Sequence, residues 1–149
     1  MAQDVRRTNS VRVLIAAPDA SFESSLREQL LARDFTLCAT ARDAHGAVAI
    51  ALSEQPDVCV LVAELPGSAV VATAEITHRL PRTPVVILGP TGDEEDCVTY
   101  FMAGASGYLD RDIPPDALGI AIRTAAAGQP LVSATVQRRL LDELRSDLP

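Results

Sequence analysis

The chain has 149 residues, of which 48% are apolar and 22% are charged. Its length favours a single domain, and its composition is too apolar for a disordered protein. With 13 basic and 20 acidic residues the formal charge is −7, which argues against nucleic-acid binding by this chain itself, since phosphate contacts need clustered Lys and Arg.

Apolar runs alternate along the chain with patterns typical of amphipathic helices. After a polar tail at residues 1–10, which we expect to be disordered, strands are predicted at residues 11–17, 36–40, 58–62 and 85–88 and around Tyr108. Helices are predicted at residues 22–32, 44–54 and 68–80, from near Asp93, from Pro114-Pro115 to just before Gly128, and at 134–145. The third and fourth strands are apolar throughout, as a parallel sheet covered on both faces requires.

Residues at the predicted helix starts support these limits. Asp19 or Ser21 is suited to cap the first helix, and Asp43 is suited to cap the second. The side chains expected to face the core are Phe22, Leu26 and Leu30 in the first helix and Val48 and Leu52 in the second.

Five successive strand–helix units predict an α/β fold with right-handed crossovers and helices on both faces of the sheet. The flavodoxin-like, doubly wound order 2-1-3-4-5 is the usual arrangement at this size. We therefore expect one domain at residues 11–128 with five flanking helices. Residues 129–149 are expected to form a C-terminal linker helix, with Val136, Leu140 and Leu144 on one face.

The cysteines and the ends of the chain indicate the compartment. Cys38, Cys59 and Cys97 lack the CxxC spacing of a zinc ribbon, and their odd number argues against a disulfide framework, so we expect buried free thiols. No apolar run reaches the ~18 residues of a membrane span, and the polar start lacks the apolar stretch of a secretion signal. We expect a soluble, cytoplasmic protein.

Several segments, in this order and at this spacing, resemble the receiver domain of bacterial response regulators of the NarL/FixJ type. They are residues 11–16 (VRVLIA), 56–58 with 65–67 (PDV and LPG), 83–88 (TPVVIL) and 103–109 (AGASGYL). The resemblance covers residues 11–145 and implies a CheY-like form of the predicted fold. It also implies a domain that catalyses its own phosphorylation on an aspartate, with Mg²⁺ held by acidic residues.

The residues at the family's functional positions depart from that pattern. The acidic pair corresponds to Ala17 and Pro18, the acceptor aspartate to Val62, the Thr or Ser that contacts the phosphoryl group to Gly89, and the Lys to Arg111. Ala17, Pro18 and Val62 offer no side-chain oxygen to Mg²⁺, and valine offers no nucleophile. We therefore expect an atypical receiver that is not phosphorylated, is no enzyme and holds neither metal nor cofactor.

Nearby charged residues are not expected to replace the missing set. Asp19 lies one position late, and Glu64 is expected to face solvent. Arg111 is expected to point into solvent and to pair with Asp110 or Asp112, with binding of an anion or a carboxylate at the sheet edge as the alternative.

Two other polar patterns are expected to have no chemical role. The segment 89–92 (GPTG) precedes four carboxylates, which complement the helix dipole and would repel a phosphate. His45 and His78 lie in separate helices without a matching ligand set, so both are expected at the surface.

Tyr108 corresponds to the aromatic residue that turns inward in active receivers. Gly89 offers neither hydroxyl nor bulk, so our hypothesis is that Tyr108 is uncoupled from any phosphoryl signal. The sequence leaves open whether the ring points inward or outward.

The predicted fifth helix carries two separate apolar faces. One is expected to pack on the sheet, and the resemblance suggests that the other forms a homodimer, since receivers commonly self-associate through this helix. The first face consists of Leu118, Ala121, Ile122 and Ala125, and the candidate dimer face consists of Ala117, Ile120 and Thr124.

The leading hypothesis is a phosphorylation-independent dimerisation and regulatory module of a transcription regulator in two-component signalling. The resemblance implies a helix-turn-helix DNA-binding domain after the linker helix in the full-length protein, and we expect that domain to be missing from this sequence. The alternative is a sensor that binds a small apolar ligand in the vacated pocket formed by Ala17, Pro18, Val62 and Gly89. A third possibility is an active receiver that uses a displaced carboxylate.

Overall fold

The computed structural model describes residues 10–90, 96–131 and 134–146. The strands are β1 (Arg12–Ala16), β2 (Thr36–Leu37), β3 (Val58–Val62), β4 (Val85–Gly89) and β5 (Gly107–Asp110). They form one parallel sheet in the order β2-β1-β3-β4-β5. This confirms the predicted flavodoxin-like α/β fold.

Helices cover both faces of this sheet. Within the described ranges they are α1 (Ala20–Leu31), α2 (Ala44–Glu54), α3 (Ala69–Arg79), α4 (Cys97–Met102), α5 (Pro115–Ala126) and α6 (Ala134–Ser146). In the same ranges no helix combines the length and the apolar character needed to cross a bilayer.

The alternating direction of side chains along the strands divides the core into two apolar clusters. Val13 and Ile15 of β1 belong to the cluster beneath α1 and α5. Leu14 belongs to the cluster beneath α2, α3 and α4. Every residue of β3 and β4 is buried, as their uninterrupted apolar runs predict.

Side-chain caps fix where the first two helices begin. Of the two candidates at α1, Asp19 is the cap, because its Oδ1 accepts a hydrogen bond from the Ser21 amide at 2.9 Å. Asp43 caps α2 as predicted and accepts from the Gly46 amide at 2.7 Å. After α5, Gly128 adopts a φ of +85°, as expected of a residue just past a helix end.

The inward face of α2 was predicted only in part, because Val48 packs against the core cluster but three alanines form the buried centre of the face. Ala44, Ala47 and Ala51 are buried against the sheet, whereas Val48 and Leu52 are only half-buried. Small side chains let the helix approach the sheet closely, which leaves the larger ones at the rim. Prediction by side-chain size therefore identified the rim of the buried face and not its centre.

The second strand is shorter than predicted. It ends at Leu37 instead of residue 40, because β2 is the edge strand and the chain then turns toward Ala41, which forms a single bridge with Ala16. The predicted helix start near Asp93 lies outside the described residues. Of the predicted tail only Ser10 is described, and its hydroxyl donates to the Asp34 carbonyl at 2.8 Å.

All three cysteines lie in the described ranges, and none forms a disulfide. Cys59 and Cys97 are buried as predicted, whereas Cys38 is half-buried on the edge-strand side of the sheet. Burial raises the pKa of Cys59 to about 12, so this thiol stays protonated.

Candidate functional site

The sheet brings the predicted site residues together at its carboxyl edge. Ala17 and Pro18 follow β1, Val62 ends β3, Gly89 ends β4 and Arg111 follows β5. The strand register places Val62 beside Leu88 and Gly89 beside Asp110. Ligands of open α/β sheets bind at this edge, so its side chains decide what chemistry the domain can perform.

Apolar side chains fill the centre of this edge. Ala17 is fully buried and Val62 is 4% exposed, and both belong to the apolar cluster that also contains Leu88. Pro18 is exposed. The Mg²⁺ that the family resemblance implies needs several oxygen ligands at about 2.0–2.1 Å. The residues at these three positions do not fit that ion, because none carries a side-chain oxygen.

Asp19 does not compensate for the missing acidic pair. Its Oδ1 accepts hydrogen bonds from the amides of Ser21 at 2.9 Å and Phe22 at 3.5 Å, so the carboxylate is engaged at the start of α1. Within the part of the chain that the structure describes, no group of three His, Cys, Asp or Glu side chains is arranged to hold a metal ion.

Tyr108 points inward, which answers a question that the sequence leaves open. A Cβ atom built on Gly89 would clash with the hydroxyl and Cζ of Tyr108 and would lie 2.9 Å from its Cε1. The ring therefore takes the space that any other residue at position 89 would fill. A glycine at the end of β4 is what makes this position of the ring possible.

A second tyrosine supports the inward ring. The centroids of Tyr100 and Tyr108 are 5.6 Å apart, with the planes tilted by 43°, an arrangement that aromatic pairs favour. Tyr100 is buried, and its hydroxyl donates to the Ala63 carbonyl at 3.4 Å. Burial, together with the charges of Asp96 and Glu64, raises the pKa of Tyr100, so the hydroxyl remains a donor.

Arg111 does not point freely into solvent, as the leading prediction had it, and instead binds a carboxylate at the sheet edge, which was the alternative. Its guanidinium forms an ion pair with Glu64, a side chain that is exposed as predicted. Its Cζ lies 5.6 Å from the centroid of the Phe22 ring. The Arg111 amide donates to the Gly89 carbonyl at 2.8 Å. One residue thus contacts the ends of β3 and β4 and the first turn of α1.

Sequence reasoning missed a buried carboxylate close to this edge. Glu23 is 4% exposed. Its Oε1 accepts from the Arg27 Nε at 3.0 Å and from the Thr40 hydroxyl at 2.8 Å, and Arg42 lies 3.9 Å from its Oε2. The i,i+4 spacing of Glu23 and Arg27 was the one available signal.

The charge of Glu23 is stabilised despite its burial. Desolvation is the largest single influence and by itself raises the pKa of Glu23. The hydrogen bonds from Thr40 and Arg27 and the positive charges of Arg27 and Arg42 together outweigh it, so the pKa lies below its usual value. The carboxylate is ionised at neutral pH and joins α1 to the loop after β2.

The predicted sheet-packing face of α5 is confirmed, and the candidate dimer face stays a prediction. The face expected to pack on the sheet is buried, and it consists of Leu118, Ala121, Ile122 and Ala125. On the candidate dimer face Ile120 is 69% exposed, Ala117 is exposed and Thr124 is half-buried. An apolar side chain on this face is therefore accessible to a partner.

The remaining predicted residues lie away from the edge or are only partly described. His45 and His78 are exposed, as expected. On α6, Leu140 is half-buried and Leu144 is largely exposed, while the side chain of Val136 lies outside the described part. Thr91 and Gly92 of the GPTG segment and the carboxylates of residues 93–95 fall in the gap at residues 91–95, whereas Gly89, Pro90 and Asp96 are described.

Comparison with known proteins agrees with this architecture. The family model of the response regulator receiver domain matches residues 13–123. A curated relative is the uncharacterized transcriptional regulatory protein YxjL of Bacillus subtilis, 31% identical over 137 residues, which are 91% of this chain and 63% of that protein. Another is the oxygen regulatory protein NreC of Staphylococcus epidermidis, 32% identical over 112 residues, which are 74% of this chain and 51% of that protein.

A solved structure shows the same fold. The crystal structure of a two-component response regulator of the LuxR family from Aurantimonas sp. superposes with a TM-score of 0.81 at 24% identity, over 91% of this chain and 98% of that one. The present chain spans about half to under two thirds of the length of the two curated relatives described above. Together with the family match over residues 13–123, these similarities show that the chain belongs to the response regulator receiver domain family.

Proposed function

We propose that this receiver domain is not phosphorylated and acts as a dimerisation and regulatory module of a LuxR-type transcription regulator. The observation that carries the proposal is the packing around Val62. At the place where the family carries its acceptor aspartate there is a valine, 4% exposed, within an apolar cluster that also contains Ala17. A valine methyl group cannot attack a phosphoryl donor, so this position has no enzymatic function.

The position of Tyr108 supports independence from a phosphoryl signal. The ring lies inward against Gly89, in the space that a side chain at position 89 would need. Nothing at position 89 contacts both a phosphoryl group and the ring, since glycine has no side chain. We infer that the inward position of the ring depends on the glycine at position 89 and not on a phosphoryl group.

The exposed face of α5 supports the dimerisation role. Ile120 is a large apolar side chain at 69% exposure beside the exposed Ala117. Small neighbouring side chains let two helices approach closely, and burial of Ile120 in a partner contributes about 1.5–3 kcal/mol. We propose that a second copy of the chain covers this face.

The role of the whole protein rests on the relatives. YxjL is a transcriptional regulatory protein and NreC an oxygen regulatory protein, and the present chain matches 63% and 51% of their lengths. We propose that the full-length protein is a cytoplasmic transcription regulator whose helix-turn-helix domain contacts DNA. The charge of −7 on the present chain is consistent with DNA contacts that lie elsewhere.

Phosphorylation is tested directly by mass. The chain is incubated with acetyl phosphate and Mg²⁺ beside a receiver that retains its aspartate, and intact masses are compared. We expect the control alone to gain one phosphoryl group. A phosphoryl adduct on this chain, mapped to an aspartate or glutamate at the carboxyl edge, would overturn the proposal in favour of a displaced acceptor.

The alternative of a small-ligand sensor has less support, because Ala17 and Val62 are buried at the position of the vacated pocket.

A further inference from the structure

We propose that the Glu64 carboxylate is a built-in anionic partner of the Arg111 guanidinium. The ion pair takes the place that a bound anion would have at Arg111, and it holds the carboxyl edge of the sheet in one arrangement. This inference rests on the proposed function, because it describes how the same edge is held when no phosphoryl group is added. It assigns a role to the side chain of Glu64, which the family resemblance does not single out.

The position of the pair in the sheet carries the argument. Glu64 follows β3 by two residues, and Arg111 follows β5 by one. Since β4 lies between these strands, their ion pair passes over the end of the intervening strand. That strand is held as well, because the Arg111 amide donates to the Gly89 carbonyl at 2.8 Å. Arg111 therefore connects three adjacent strand ends.

The guanidinium is also held from the side of α1. Its Cζ is 5.6 Å from the centroid of the Phe22 ring, within the range of a cation–π contact. Phe22 lies in the first turn of α1 and packs against the core cluster that contains Val62. The head group thus has a carboxylate and an aromatic ring as neighbours above the hydrocarbon that replaces the acidic pocket.

The Arg111 guanidinium would be available to a free anion if the charge of Glu64 were removed by substitution. Arginine has five N–H donors arranged for bidentate contact with carboxylate or phosphate. Among the described residues the Arg111 Nε is buried and has no hydrogen-bond partner. With Glu64 charged, the nearby carboxylate both occupies the guanidinium and repels a second anion. With Glu64 neutral, these two obstacles disappear.

The pair is partly open to water, which sets the size of the effect. The side chains of Arg111 and Glu64 are 36% and 47% exposed, so solvent and salt weaken their attraction. We expect loss of the pair to loosen the edge locally without unfolding the domain. The amide of Arg111, bonded to Gly89, is the natural reporter, and its hydrogen exchange should accelerate about two- to fivefold.

The experiment uses the 149-residue chain with Glu64→Gln, Arg111→Gln and the double variant. Exchange at the Arg111 amide is measured by NMR, followed by titration with inorganic phosphate at constant ionic strength. We expect both single variants to accelerate exchange, and the double variant to add little. Only Glu64→Gln should show saturable shifts at the amides of Gly89 and Arg111, and those shifts should vanish in the double variant.

Glu75→Gln is the matched control, because Glu75 forms an exposed i,i+4 ion pair with Arg79 at 3.5 Å on α3. It should change neither readout at the edge. The inference is wrong if Glu64→Gln leaves exchange unchanged, if its effect adds fully to that of Arg111→Gln, or if the native chain binds phosphate as well as the variant does. These outcomes are independent of acetyl phosphate labelling, so the proposal of an unphosphorylated receiver stands or falls separately.

Discussion

The ring of Tyr108 lies against the end of β4 in the space that a Cβ atom on Gly89 would require. The two residues are diagonal neighbours on adjacent strands, because Tyr108 pairs with Ile87, two residues before Gly89, whose own partner is Asp110. The Tyr108 ring can thus take this position only because Gly89 has no side chain.

Substituting Gly89 tests this arrangement. In Gly89→Ala the new methyl group must displace the Tyr108 ring or shift the strand, and such overpacking costs about 1–3 kcal/mol. We expect a loss of that size in urea denaturation, together with a change in the near-ultraviolet circular dichroism of the tyrosines.

The control separates this clash from a general effect of adding a methyl group. In Gly119→Ala the new Cβ would meet the Cδ of the flexible Arg33 side chain at 3.3 Å and the Cε2 of Phe35 at 3.7 Å, an ordinary van der Waals distance, so little destabilisation is expected. In a Tyr108→Ala background the cost of Gly89→Ala should largely disappear. An equal cost with and without the Tyr108 ring would show that the two residues are not coupled.

Restoring the acceptor aspartate alone should not restore phosphorylation. In Val62→Asp the carboxylate lacks the oxygens of a metal site, since Ala17 and Pro18 still follow β1. We expect no phosphoryl adduct with acetyl phosphate and Mg²⁺ by intact mass. The variant should also be destabilised by about 1–3 kcal/mol, because it buries a polar group without a partner. Val71→Asp, at an exposed position of α3, should be close to neutral.

The Glu23 cluster predicts a pH dependence of stability. The pKa of Glu23 in the folded chain lies below its usual 4.5, so its contribution is fully present above that value and is lost as the pH falls through the folded pKa. At pH 7 we expect Glu23→Gln to cost about 1.5–3 kcal/mol, as for hydrogen bonds to charged groups.

The measurement is urea denaturation of the native chain and Glu23→Gln between pH 7 and pH 3. The difference in free energy of unfolding should shrink with falling pH, since glutamine does not titrate. Glu28→Gln, on the same helix and exposed, is the control and should show no such trend beyond a small surface effect. A difference that stays constant across this range would mean that the charge of Glu23 is not what stabilises the cluster.

The sequence was sufficient for the sheet and for the position of the candidate site. The runs at 58–62 and 85–88 are apolar at every residue, as expected of strands in a parallel sheet that is covered on both faces. The segments shared with the receiver family then placed Ala17, Val62, Gly89 and Arg111 at the ends of successive strands. All of this depends on local patterns, and the sheet order follows from connectivity rules.

Side-chain contacts between residues far apart in sequence could not be predicted from these local patterns. Glu64 and Arg111 are 47 residues apart, and their contact depends on side-chain directions as well as strand order. The burial of Glu23 was also unexpected, because charged residues in a first helical turn are usually solvated. Its partner Thr40 lies in the segment wrongly predicted as strand, and the error in β2 therefore concealed the cluster.

Dimerisation through α5 gives the last prediction. Ile120→Glu places a charge on the face formed with Ala117 and Thr124, and a charge buried between two apolar helices is strongly unfavourable. We expect the dimer to dissociate in sedimentation velocity while the thermal stability of the monomer stays nearly unchanged, since Ile120 is 69% exposed. Val71→Glu carries the same change on α3, on the opposite side of the sheet, and should leave the dimer intact. Equal dissociation by both variants would indicate a general charge effect, and no dissociation by Ile120→Glu would place the interface on another face.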